Sequence, residues 1–66
     1  MSGSRRGKLK EHCEGMHRNC DWIIEHCIQS MALIGGENPE MTEAFAQLGT
    51  LAGQVDEFVQ TLYKQF

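Results

Sequence analysis

The stretch "GGENPE", residues 35–40, carries the one proline of the chain, and its reading decides the fold. Gly35 and Gly36 can take the left-handed conformation that ends a helix. Asn38 suits an N-cap, Pro39 the first helical position and Glu40 the first turn. A helix stop is followed at once by a helix start.

Working outward, apolar residues recur at three- and four-residue steps on both sides. After the turn they are Met41, Ala44, Phe45, Leu48, Leu51, Ala52, Val55, Phe58, Val59 and Leu62. Before it they are Leu9, Cys13, Met16, Cys20, Ile23, Ile24, Cys27, Met31 and Ile34. This is the pattern of amphipathic helices, and neither half alternates with the period of two that a strand requires. The spacing predicts helix 1 over about 8–34, a turn at 35–38 and helix 2 over about 39–65. Gly7 weakens a first turn by roughly 1 kcal/mol relative to alanine, so residues 1–6 are expected to fray. A short loop between matched helices predicts an all-α antiparallel hairpin.

A chain of 66 residues makes one small domain. Domains of this size usually lean on disulfides, a metal or a partner subunit. Both apolar stripes are wider than one helix can cover. The expected solution is a homodimer of hairpins forming a four-helix bundle. Its interface would draw on Cys13, Met16, Cys20, Ile23, Ile24, Cys27, Leu48, Leu51, Val55 and Phe58.

Composition narrows the function classes. The net charge is −3. Arg5, Arg6, Lys8, Lys10 and Arg18 lie in the first half, whereas Glu37, Glu40, Glu43, Asp56 and Glu57 face only Lys64 in the second. Nucleic acid is not expected as a partner, because that requires a broad basic surface. No apolar run approaches the ~18 residues of a membrane span. "MSGSRRGKLK" has no apolar region behind its charges, so a secretory leader is not expected either. An odd number of cysteines then points to a reducing cytoplasm.

The stretch "EHCEGMHRNCDWIIEHC", residues 11–27, holds all three cysteines and all three histidines. Steps of seven place Cys13, Cys20 and Cys27 on one face of helix 1, about 10.5 Å apart along the axis. Disulfides need Cα atoms within about 7 Å, so no pair in this helix can be bridged. Free cysteine packs as a small hydrophobe, and the favoured reading is three small core residues with no cofactor. The alternative is a zinc, copper or redox centre using Cys13, His17, Cys20 and Cys27, with His12, His26 and Met16 nearby. Helix 2 has no cysteine or histidine, so such a site would need a second chain. An antiparallel pairing of helix 1 with its mate would set Cys20 against Cys20, and Cys13 against Cys27.

Residues 12–27 superficially resemble the cysteine-rich four-helix copper-storage proteins. Those carry many thiols, often at four-residue steps, whereas this chain has three at steps of seven. The hairpin resembles small secretion co-chaperones and RNA-binding hairpin dimers in architecture only. Glu14-x-x-His17 has the spacing used by di-iron carboxylate bundles. The further carboxylates, Glu43 and Glu57, sit off the apolar stripe. No catalytic constellation emerges, and the chain reads as a protein-interaction module: an adaptor, co-chaperone or regulator. Trp22, Gly49, Gly53 and Tyr63 are the candidate partner surface, because exposed aromatics and flat glycine patches suit close approach.

Overall fold

The computed structural model describes residues 3–66. Met1 and Ser2, part of the segment expected to fray, lie outside the described residues. Two helices, α1 (Gly3–Ile34) and α2 (Pro39–Tyr63), pack against each other as an antiparallel hairpin. α1 begins at Gly3 rather than residue 8. The good helix formers Arg5, Arg6, Lys8 and Lys10 carry the helix through Gly7, since extension is far easier than nucleation. α2 closes at Tyr63 rather than residue 65. Lys64, Gln65 and Phe66 use their N–H groups on the carbonyls of Gln60, Leu62 and Tyr63.

The turn follows its sequence closely. Gly35 takes φ +62°, and its N–H donates to the Met31 carbonyl at 3.1 Å. Gly36 does not share that conformation. The Asn38 side chain accepts from the Met41 N–H at 3.0 Å, capping α2 with Pro39 at its first position.

The hairpin measures 53 × 15 × 10 Å, with a radius of gyration of 15.6 Å. A compact chain of this length would have about 11 Å. Its interior is one seam of small residues: Cys13, Cys20 and Cys27 from α1 against Ala52 and Val59 from α2. A Cβ placed on Gly49 would lie 3.7 Å from Cys27 Cβ, so the two backbones run close together here. Small facing side chains of this kind shorten the distance between helix axes. Leu9, Ile24, Met31, Ile34 and Phe45 border the seam half-buried.

Candidate interaction surface

The seam divides each apolar stripe in two. Met16 and Ile23 each lie three residues past a cysteine, about 60° short of a full turn. They therefore stand on one flank of the thiol row. On α2 the matching flank carries Met41, Leu48, Val55 and Leu62 at steps of seven, with Ala44, Leu51 and Phe58 interleaved at steps of seven. In an antiparallel pair, these two flanks fall on the same side of the hairpin. Met16, Ile23, Met41, Leu48, Leu51, Val55, Phe58 and Leu62 are all exposed, Phe58 to 67 %. This open row has the a/d spacing of a helical seam without a partner helix.

The opposite side is polar and ties the helices together. His17 Nδ1 lies 2.8 Å from Asp56 Oδ1 across the hairpin, and Nε2 lies 3.4 Å from Asp21 Oδ2 one turn along α1. A doubly protonated ring donates from Nδ1 to Asp56 and is attracted by the charge of Asp21. The Gln60 amide nitrogen sits 3.0 Å from the same Nδ1. A protonated Nδ1 has no lone pair to accept from it, so its N–H donates to the Asp56 carboxylate. Beyond this cluster, Tyr63 OH donates to Glu14 Oε1 at 3.1 Å, and Lys10 Nζ lies 5.2 Å from the centre of the Tyr63 ring. A groove of about 320 Å³ runs between Cys13, His17, Gln60 and Tyr63.

The hydrogen bond to Asp56 raises the His17 pKa above its ordinary 6.5, with burial opposing and Asp21 adding to the rise. A group whose folded pKa is raised stabilises the fold fully below its unfolded value and loses that contribution as pH rises through the folded value. Thermal unfolding should therefore shift to lower temperature as pH rises from below 6.5 to beyond the folded value. Asp56→Asn should flatten this dependence. A His17→Gln protein with the same pH profile as the parent would remove the cluster from the account.

The thiols lie elsewhere. Cys13, Cys20 and Cys27 are 5 %, 6 % and 3 % exposed, all reduced and all covered by α2 of the same chain. The expected pairing of Cys20 with a second Cys20 is thus corrected: the sulfurs face the hairpin seam, not an open helix face. Seven-residue steps told which residues share a face, but not which neighbour covers it. Burial first, and then Asp56 and Asp21, push the Cys20 thiol up. That favours the thiol over the nucleophilic thiolate. A thiol-directed reagent should therefore modify the folded protein slowly at all three sites, and quickly in denaturant. Rapid modification of the folded protein would show that the seam is open.

The alternative metal set is not assembled either. The three thiols are spread along the seam, and His17 turns to the polar side. Among the described residues, the one grouping of potential ligands is His17, Asp21 and Asp56, whose donor atoms lie within 4.8 Å of one another. Both histidine nitrogens there already face carboxylates. Glu14 is held by Tyr63, and Glu43 and Glu57 are exposed, so the carboxylates of a di-iron arrangement do not converge. Trp22, Gly49, Gly53 and Tyr63 do not form one surface. Trp22 is 70 % exposed on the outer side of α1, Gly49 faces Cys27, and Tyr63 belongs to the polar side. Among the described residues, no helix is long and apolar enough to cross a membrane. The chain matches no family model, no curated protein and no solved structure.

Proposed function

We propose that the protein is a small protein-interaction module, cytoplasmic and without catalytic activity, that works as a homodimer of hairpins forming a four-helix bundle. The open apolar row on one side of the hairpin carries this reading. Area supports it. The chain exposes 5166 Å² at a mass of 7.5 kDa. A folded monomer of that mass exposes about 4,200 Å². The excess, roughly 900 Å², is close to the ~800 Å² that each partner contributes to a standard interface. A second copy offers an identical apolar row of identical length. Sedimentation equilibrium at micromolar concentration should give twice the chain mass. A folded species of single-chain mass at that concentration refutes the proposal. The zinc, copper or redox reading is less favoured, because the three thiols are shielded and strung along the seam. Stoichiometric metal in protein purified under reducing conditions would reverse that order.

A further inference from the structure

We infer that the second copy packs with its turn at the opposite end of the bundle, and that this brings two Trp22 side chains together at the two-fold axis. The inference rests on the dimer proposed above.

Two flat hairpins stacked through their apolar sides can be related by either of two axes. An axis along the helices puts both turns at one end and stacks α1 on the mate's α2. An axis across both helices puts the turns at opposite ends and stacks α1 on α1 and α2 on α2. Charge separates them. The turn end carries Glu37, Glu40 and Glu43, and no lysine or arginine occurs anywhere between residues 19 and 63. The open end carries Arg6, Lys8, Lys10 and Lys64 against Glu11 and Glu14, and so is net positive. The lengthwise axis lays the acidic end on an acidic end and the basic end on a basic end. The crosswise axis lays each on its opposite. Any single exposed pair is weak and screened within about 8 Å at physiological ionic strength. Symmetry counts every pair twice, however, and the two arrangements differ in the sign of the whole set.

The position of the axis follows from the apolar row. Met41 to Leu62 has its midpoint between Leu51 and Ala52. Facing residues such as His17 with Asp56 and Cys27 with Gly49 place that level beside residues 21–25 of α1. Trp22 stands at this level. It is two residues past the buried Cys20, about 200° round the helix, and so points directly away from α2. A crosswise axis leaves this direction unchanged, so both indoles emerge on the same edge of the bundle. Neighbouring helix axes are about 8–10 Å apart, which sets the spacing of the pair. A lengthwise axis would put the indoles on opposite edges. The paired indoles form an aromatic surface that neither chain has alone. Aromatic side chains at the centre of a patch are the residues that most often anchor a protein partner.

Nitroxide labels on Trp22→Cys and, separately, Glu37→Cys test the arrangement. Both positions lie off the apolar side, and the three native thiols are shielded from the label. The expected result is dipolar broadening of the spectrum at position 22 and none at position 37, where the labels are roughly 40 Å apart along the axis. Added salt should weaken the dimer. Broadening at 37 without broadening at 22 would overturn the inference, as would a confirmed dimer broadened at both positions or at neither. Sedimentation on the same samples separates these outcomes from failure of the dimer itself. A dimer that tightens with salt would also count against opposite-end packing.

Discussion

Val55→Glu should leave the hairpin folded as helix but convert the dimer to a monomer. Val55 is 55 % exposed in the single hairpin, so a carboxylate there costs one chain little. In the dimer it would be buried near the axis, among apolar side chains of the second copy. Burying a charge without a partner costs at least about 3 kcal/mol. Every 1.4 kcal/mol is a tenfold change, so the dissociation constant should rise more than 100-fold. Leu48→Ala and Phe58→Ala provide a graded version of the test. These side chains are 46 % and 67 % exposed in the hairpin, so a monomer would lose only part of what a fully buried truncation costs. As interface core, each truncation should cost roughly 2–5 kcal/mol per chain and make unfolding depend on protein concentration. If neither lowers the thermal midpoint at any concentration, the apolar row is not an interface. Gln29→Glu, on an exposed position of α1 away from that row, is the control and should leave the mass unchanged.

The parts of this fold that were legible in the sequence are those fixed by local chemistry. Gly35, Asn38 and Pro39 act on their own backbone neighbours, so the hairpin turn follows from six residues. The periodicity of α2 is equally local. What three- and four-residue spacing cannot say is how a wide stripe is shared among neighbours. Cys13, Met16, Cys20 and Ile23 read as one face of α1. The structure sends the cysteines to α2 of the same chain and leaves Met16 and Ile23 open. That partition depends on the rotation of each helix about its axis, a tertiary quantity. The bond from His17 to Asp56 spans 39 residues. Either residue alone reads as a solvated polar side chain. The one signal that would have found the pair is their common level in an antiparallel register counted from the turn.

Gly49→Ala and Gly49→Leu should change stability in opposite directions, and the contrast tests how closely the seam is packed. Alanine is favoured over glycine in a helix by about 0.8–1.0 kcal/mol. Its Cβ would meet Cys27 Cβ at 3.7 Å, an ordinary van der Waals contact. Gly49→Ala should therefore stabilise the protein by nearly that amount and raise the unfolding midpoint by about 4–8 °C. Leucine has the same first carbon, but its branch extends beyond it toward the Cys27 side chain and backbone. Overpacking a fitted seam costs about 1–3 kcal/mol, enough to cancel the propensity gain and lower the midpoint. Gly53, with nothing within 4 Å of its added Cβ, lacks this sign change, and Gly53→Ala should gain propensity alone. Circular dichroism melts of the four proteins at one concentration decide the matter. A Gly49→Leu protein as stable as Gly49→Ala would mean that the helices are not held together at Cys27. The seam also sets the spacing of the two flanks that form the apolar side. Forcing the helices apart should therefore weaken the dimer too, and Gly49→Leu should raise its dissociation constant while Gly53→Ala leaves it unchanged.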